Sequence, residues 1–415
     1  MAMATHTRKI IYIALAACGI ANIAQAGGVY NSATTVDDGA GSIVGEYSSI
    51  AIGTDGFPVI SYFDDRAAAL KVAHCYDVAC TQQPQITFVD DTLTEIEGRY
   101  SSIAIGSDGF PVISYQGNTG GNLKVAHCVD LACTLPPTVT EVFTPTTTTG
   151  TFTSIAIGNN DRPVVSFKDG GGLTVARCAN AECTGSASIN VVDNSSFATG
   201  YSTSIAIGKD GFPVISYHDL ANTLLKVAKC GNSACSSVTN AVEVDATGNV
   251  GFHTALAVRN NGNPVVAYSD DGNGTLKIAE CADPGCTSSS TMTLLSVPGD
   301  VVGQYVDIQI GPTGKAFISH HDATAGSLLL TVCLTADCAD GTVTTTLDAA
   351  PPGDAPRGEY SSLALGSDNF PVMSYFDAQS GALKVAHCGT RNCDGLFHDG
   401  FDDLPPTARP AARSP

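Results

Sequence analysis

Residues able to do acid–base chemistry gather in one region of the chain. His253, Asp307 and the run Ser319-His320-His321-Asp322 set imidazoles beside carboxylates, a combination that can relay protons or ligate a metal. The candidate catalytic set is therefore His253, Asp307, His321 and Asp322, with Tyr217-His218-Asp219 supplying one more histidine. These positions stand out because they interrupt a repeat. No G-x-S-x-G, H-E-x-x-H, phosphate-loop or dinucleotide fingerprint accompanies them.

The repeat is seen most fully in Gly98 to Cys133, GRYSSIAIGSDGFPVISYQGNTGGNLKVAHCVDLAC. Registered on the third residue of SSIAIG, seven copies centre on Ile50, Ile103, Ile155, Ile205, Leu256, Ile308 and Leu363, at intervals of 50 to 55 residues. A period of that size marks a repeat architecture. The departures fall on it as follows: His253 stands where most copies have an aromatic ring, Asp307 replaces a serine, and His320-His321 replaces the tyrosine and its successor.

Two further sets of candidate residues emerge from the same register. Ahead of SSIAIG stand Tyr47, Tyr100, Phe152, Ser202, His253, Tyr305 and Tyr360, five aromatic rings that could stack on a sugar or peptide, or else wedge between repeats. Acids gather in two of the four connections of each repeat: Asp37, Asp38, Asp64, Asp65, Asp90, Asp91, Asp169, Asp193, Asp219, Asp245, Asp270, Asp271, Asp322, Asp348 and Asp377. Asp64, Asp219 and Asp377 are taken as binding candidates with the aromatic set. Calcium is the one ion the acids would suit. No cofactor is expected, and the plainer role of acids is to cap strands and keep the surface soluble.

Each copy must position these residues on short strands. Ser49-Ile50-Ala51-Ile52 alternates small and large side chains and is read as strand A; Phe57 to Tyr62 is a β-rich strand B with Pro58 near its start, where a missing N–H is tolerated. Asp-Gly or Asn-Gly tips, as in Asp108-Gly109 and Asn261-Gly262, join the two. Leu70 to Cys75 makes strand C, and Ile86 to Asp90 makes strand D. Four antiparallel strands in about 50 residues is the pattern of a β-propeller blade. The chain is thus expected to be all-β, a seven-bladed propeller over residues 27–393. The seventh copy ends without a strand D, while Val29 to Asp38 precedes the first copy. Asp37 lies as far before Ile50 as Asp90 lies before Ile103, so the N-terminal strand should complete the last blade and leave no open edge.

The formal charge is −20 over 415 residues, with 14% charged residues and no tryptophan. That field repels phosphate backbones and excludes nucleic acid as a partner. Arg8-Lys9, an apolar core from Ile10 to about Ile20, and Ala24-Gln25-Ala26 have the layout of a signal peptide over residues 1–26, too short to span a bilayer. Leu15-Ala16-Ala17-Cys18 offers an alternative, a lipobox with outer-membrane anchoring at Cys18. Fourteen other cysteines form seven C-x4-C pairs, one per repeat: Cys75/Cys80, Cys128/Cys133, Cys178/Cys183, Cys230/Cys235, Cys281/Cys286, Cys333/Cys338 and Cys388/Cys393. Pairs about 50 residues apart do not converge on one ion, so they are read as local disulfides, which need an oxidising compartment. The protein is expected outside the cytoplasm, secreted or periplasmic, as a monomer without a transmembrane span. Residues 394–415 end in LPPTARPAARSP and are expected to form a disordered tail.

Y-S-S-I-A-I-G-x-D-G-x-P-V-I-S-Y followed by L-K-V-A-H-C resembles the repeats of exported bacterial β-propeller proteins, most of them uncharacterised, over almost the whole mature chain. Phe397 to Asp402 is similar to a short F-x-D-G-F-[ED] ending of some secreted proteobacterial proteins. The G-x-D-G turn also invites comparison with the Asp-box of sialidases, but tryptophan is absent and the arginines share no repeat position, so that activity is not carried over.

Two functional readings follow. The first is a non-enzymatic binding scaffold presenting its acidic rim to an extracellular protein, a peptide or cell-envelope material. The second is a hydrolase or lyase acting on extracellular polysaccharide through His and Asp residues at the channel mouth. Export is tested by intact-mass analysis of the protein recovered from its native host. The mass should correspond to an N-terminus near Gly27 with fourteen hydrogens missing; a free-thiol mass would refute the oxidising compartment, and a lipid on Cys18 would assign the anchored alternative.

Overall fold

A computed structural model describes residues 31–92, 95–117, 120–145, 150–288, 290–296, 301–390 and 393; the expected leader at 1–26 and tail at 394–415 lie outside the described residues. In the first repeat strand A runs Val44–Ile52, strand B Pro58–Asp64, strand C Ala69–His74 and strand D Gln85–Asp90. Strand A starts earlier than its alternation suggests, because it carries a bulge: Glu46 pairs with Phe63 and Ser49 with Ser61, so two residues face Tyr62 alone. The A–B tip is closed by the Gly53 N–H donating to the Phe57 carbonyl at 2.8 Å and by the Asp55 carboxylate accepting from the Phe57 N–H at 3.1 Å.

Seven such four-stranded antiparallel sheets form the ring. The seventh is made of Arg357–Leu365, Pro371–Asp377, Ala382–His387 and the N-terminal strand Ser32–Asp37. Its closing register, Ser32 on His387 through Asp37 on Leu383, repeats that of Gln85 on His74 through Asp90 on Leu70, bulge included. Asn31 adds a latch: its amide donates to the Cys393 carbonyl at 2.8 Å and its side-chain oxygen accepts from the Gly389 N–H at 3.0 Å. Among the described residues no helix is long and apolar enough to cross a membrane.

Every cysteine pair is a disulfide, with Cα atoms 4.7–5.1 Å apart. The second member of each pair has an unusual backbone. Cys80, Cys133, Cys183, Cys235, Cys286, Cys338 and Cys393 are all left-handed, with φ between +51° and +55°. The physical reason is the tight turn between the two sulfurs. The Cys80 N–H donates to the Asp77 carbonyl at 3.2 Å, and the Asp77 carboxylate accepts from the Ala79, Thr81 and Gln82 N–H groups, which wraps the chain around that side chain. The N–H groups of Cys183, Cys235, Cys286 and Cys338 close the same turn onto the carbonyls of Asn180, Asn232, Asp283 and Thr335.

Apolar cores lie between blades rather than inside them. Val36, Leu383 and Val385 of the last sheet pack with Val44, Ile60, Tyr62 and Ala73 of the first, and the other interfaces repeat this arrangement. The disulfides belong to these cores and do more than brace a surface loop: Cys75 and Cys80 are buried in the same cluster, and each of the other six pairs is buried at its own interface. Each buried Val, Leu or Ile contributes roughly 1.5–3 kcal/mol. Gly45 is required at this contact: its φ is +103°, and a Cβ there would stand 2.8 Å from the Leu383 Cα. Gly98 meets Leu70 in the same way, at 2.7 Å.

Polar groups then pin the blades together. Asp193, on strand D of blade 3, accepts from the Tyr217 hydroxyl at 2.6 Å and the Lys226 ammonium at 2.5 Å, both from blade 4. Equivalent sets are Asp37 with Tyr62 and Lys71, Asp90 with Tyr115 and Lys124, Asp245 with Tyr268 and Lys277, and Asp348 with Tyr375 and Lys384. Two interfaces use apolar substitutes. Phe143 packs on Phe167 at 5.5 Å between blades 2 and 3, while Leu295 and Leu329 share a core between blades 5 and 6.

Burial alone would raise the Asp193 carboxyl, yet hydrogen bonds from Lys226, Tyr217 and Ser195 outweigh it and bring it down to about 2. A carboxyl lowered in the fold stabilises it above the unfolded value and loses that contribution as the pH falls through the folded one. Lys226→Met should therefore cost about 3 kcal/mol in urea unfolding at pH 7, and the cost should fade between about pH 4 and pH 2. A pH-independent penalty would show that Lys226 acts by packing alone.

Candidate functional site

The bulge of strand A builds the mouth of the central channel. Left-handed backbone recurs at the same repeat position in all seven blades, with φ of +54° at Tyr47, +52° at Tyr100, +55° at Phe152, +48° at Ser202, +51° at His253, +50° at Tyr305 and +52° at Tyr360. For residues other than glycine this conformation costs on the order of 1–2 kcal/mol each. The side chains are half-buried and, with the hydroxyl residues beneath them, line an axial cavity of about 180 Å³.

Six of the seven are rings in an unbroken chain of contacts. Phe152 touches Tyr100 at 4.8 Å, Tyr100 touches Tyr47 at 4.6 Å, Tyr47 touches Tyr360 at 4.7 Å, Tyr360 touches Tyr305 at 4.7 Å, and Tyr305 touches His253 at 4.6 Å. Successive planes differ by 48–54°, close to one-seventh of a full turn, so the rings stand parallel to the axis as a collar. Ser202 leaves the one gap, and Tyr201 leans against Phe152 beside it at 5.4 Å. Burial and the neighbouring tyrosines push the Tyr100 hydroxyl up to about 12; burial and Glu359 do the same at Tyr305. The hydroxyls stay protonated at neutral pH.

Below the collar, the two serines of the repeat motif stitch neighbouring blades. Ser101 donates to the Tyr47 carbonyl at 2.8 Å, and Ser49 accepts from the Ile103 N–H at 3.2 Å. Hydroxyls hold the carbonyls of Tyr47, Tyr100, Phe152, Tyr305 and Tyr360 in this way, while Val306 stands where the hydroxyl for His253 would be.

The structure brings His253 within electrostatic reach of His321 and His218, and gives Asp307 hydrogen-bond partners of its own. Asp307 takes over the serine's role: its carboxylate accepts from the Leu363 N–H at 2.7 Å, the Ser362 hydroxyl at 3.0 Å and the Ile308 N–H at 2.7 Å. His321 donates through Nδ1 to the Arg357 carbonyl at 3.0 Å, and Asp322 caps its turn by accepting from the Thr324 and Ala325 N–H groups. His320 fills a core position with Nε2 2.9 Å from the Thr331 hydroxyl. His253 belongs to the collar, where burial and then His321 and His218 lower it to about 3. Burial alone accounts for His218 at about 4, against the opposing pull of Asp219. Among the described residues no hydrogen bond joins Asp307 to a histidine, and no three His, Cys, Asp or Glu side chains are grouped to hold a metal.

The acids do not form an open rim. Ten of the fifteen are buried: Asp37, Asp90, Asp193, Asp245 and Asp348 are the inter-blade pins, and Asp64, Asp219, Asp270, Asp322 and Asp377 end their strands. Asp64 accepts from the Ser42 hydroxyl at 2.6 Å and the Ala67 N–H; Asp219 accepts from the Asn222 amide; Asp377 accepts from the Gln379 N–H. The histidines beside cysteines are also structural. His74, His127 and His387 each lie 2.8–3.0 Å from the aspartate of their own A–B tip.

Sequence reasoning passed over the residue before each collar position: Glu46, Arg99, Thr151, Tyr201, Phe252, Gln304 and Glu359. Its variability from one repeat to the next was the available signal. Among the described residues Glu46 and Glu359 are half-buried carboxylates with no side-chain hydrogen bond or close ion pair; burial raises both, with the Arg99 charge opposing it at Glu46. A second cavity, about 520 Å³, opens beside Glu359 between blades 6 and 7, lined by Gln304, His321, Pro351, Pro352 and Asp354 among others.

No protein-family model matches this chain, and no curated protein matches it. Among solved structures it is similar to a protein of unknown function from Dyadobacter fermentans, at 12% identity and a TM-score of 0.50, covering 86% of this chain and 98% of that one. It is also similar to the polysaccharide lyase Uly1, at 10% identity and a TM-score of 0.46 over 82% and 88% of the two chains. A third similar structure is an arginine mutant of AofleA from Arthrobotrys oligospora, at 9% identity and 0.42 over 64% and 75%. The first likeness bears on the fold alone, which is the β-propeller already described.

Burial holds the Asp307 carboxyl up at about 6 despite its three hydrogen bonds. A carboxyl raised in the fold contributes stability below its unfolded value and loses it as the pH climbs through the folded one. Asp307→Ser, which restores the repeat, should therefore gain stability relative to wild type between about pH 4 and pH 6, by up to ~3 kcal/mol. Urea unfolding of both proteins at pH 4 and pH 7.5 measures the difference; a constant difference would mean that Asp307 does not change charge in that range.

Proposed function

We propose that this protein is an exported binding module whose ligand seats at the aromatic mouth of the channel, on the rim formed by the B–C and D–A connections. The observation that carries this reading is the collar. Six left-handed positions hold Tyr, Phe or His where glycine would sit without strain, as Gly56 and Gly109 do at the A–B tips. Strain kept in that form points to work done by the side chains. Rings fixed by their own backbones present stacking surface with little entropy left to lose on binding.

The ligand class from sequence was an extracellular protein, a peptide or cell-envelope material, and the collar suits any of these through a planar or apolar group. The acidic rim, by contrast, is a small part of the surface on offer because most of its carboxylates are engaged inside the ring. The alternative reading, a polysaccharide hydrolase or lyase using His253, Asp307, His321 and Asp322, has less support. Those side chains sit in separate hydrogen-bond sets, and a general acid and base must reach one substrate together.

Labelled mature protein should bind envelope preparations of its host, and Tyr47→Ala with Tyr360→Ala should weaken that binding at least ten-fold, about 1.4 kcal/mol or more. Phe88→Ser, on the outer strand of blade 1 and 48% exposed, serves as the control and should leave it unchanged. Undiminished binding by the tyrosine variants would remove the mouth from the function.

A further inference from the structure

The binding reading leaves the ligand's chemistry open, and the charges around the collar narrow it. Glu46 and Glu359 directly precede Tyr47 and Tyr360, whose rings touch at 4.7 Å. The two carboxylates therefore flank one pair of rings at the junction of blades 7 and 1. Both are half-buried, and among the described residues neither forms a side-chain hydrogen bond or close ion pair, an arrangement that costs free energy which a further counter-charge would offset. The Arg99 charge acts on Glu46 against the effect of burial, whereas Glu359 is raised by burial and by Glu46; the other nearby cations are engaged elsewhere. Arg99 lies over the Phe63 ring at 5.3 Å, near Glu46; Lys168 lies over Tyr201 and donates to the Asp169 carbonyl on the far side of the mouth; and Arg357 bonds Asp348.

The collar supplies ring surface beside the carboxylates: Tyr305 meets Tyr360, and Tyr360 meets Tyr47, at 4.7 Å between centroids, and a cation held over a face of these rings would be attracted to it. Glu359 also lines the 520 Å³ groove between blades 6 and 7, whose other acid, Asp354, lies 3.8 Å from the Arg357 guanidinium. That groove can hold the remainder of a ligand whose charged end sits in the mouth. The chain's net charge of −20 draws cations toward it.

We propose that the mouth binds an organic ammonium ion, seated on the Tyr305, Tyr360 and Tyr47 rings between the carboxylates of Glu359 and Glu46. This rests on the binding role assigned to the collar. The ammonium group could belong to a small quaternary amine or to a lysine side chain, which share the same chemistry.

Calorimetric titration of the disulfide-bonded mature protein at low salt uses three probes: choline, its uncharged carbon isostere 3,3-dimethylbutan-1-ol, and Nα-acetyl-lysine methylamide. A cation should bind at least about ten-fold tighter than the isostere, and a Glu46→Gln, Glu359→Gln double variant with unchanged thermal unfolding should lose that preference. Tighter choline assigns a quaternary amine; tighter lysine derivative assigns a basic peptide. The proposal is overturned if the isostere matches both cations, if neither cation binds at tens of millimolar, or if the double variant keeps the preference. Should it fall while Tyr47→Ala and Tyr360→Ala still lose envelope binding, the mouth remains a binding site for another class of ligand.

Discussion

An aspartate on the last strand of one blade accepts a tyrosine hydroxyl and a lysine ammonium from the next, and the ring is held together around that contact. At Asp193 the two donors lie within 2.6 Å of one carboxylate, in a place where each of the three groups alone would be costly to bury. The contact explains why the repeat keeps a tyrosine in strand B, a lysine in strand C and an aspartate at the end of strand D. It also explains the closure. Asp37 reaches Tyr62 and Lys71 from the N-terminal strand, so the last joint is built like those before it.

With the outer edges pinned, the inner strands are free to carry strain. The bulge turns one residue of each strand A toward the axis in a left-handed conformation, and serines beneath it fix its carbonyl to the neighbouring blade. The collar is thus set by backbone hydrogen bonds rather than by the packing of its own rings. The two collar residues that are neither Tyr nor Phe, Ser202 and His253, are also the two whose carbonyls receive no such hydroxyl bond among the described residues.

Blades 3 and 6 show how far the pins can be replaced. Phe167 and Thr174 take the tyrosine and lysine positions in blade 3; His320 and Leu329 take them in blade 6, and apolar contact fills each joint. His320 meets the Thr331 hydroxyl of its own blade, and Asp307 bonds Ser362 and the Leu363 N–H of blade 7, so each of these exceptions to the repeat marks an altered contact.

Strand alternation, the hairpin tips, the paired cysteines and the spacing of Asp37 before Ile50 determined the number of blades, their strand order, the disulfides and the closing strand. These depend on hydrogen bonds and covalent links between residues near in sequence, or on a period that makes distant copies equivalent. The left-handed turn at Cys80 and its counterparts, and their burial between blades, were not legible in the spacing, because a cysteine pair fixes which sulfurs meet and not how the backbone reaches them. Only the tertiary structure decided which acids are free. Asp64, Asp219 and Asp377 read as surface carboxylates, but each is buried capping the turn that follows its strand; Glu46 and Glu359 sit in a variable position and, among the described residues, form no side-chain hydrogen bond or close ion pair. The reason is geometric: whether a carboxylate meets a lysine or open water is set by the angle at which one blade docks on the next, and neither blade's sequence encodes that angle by itself.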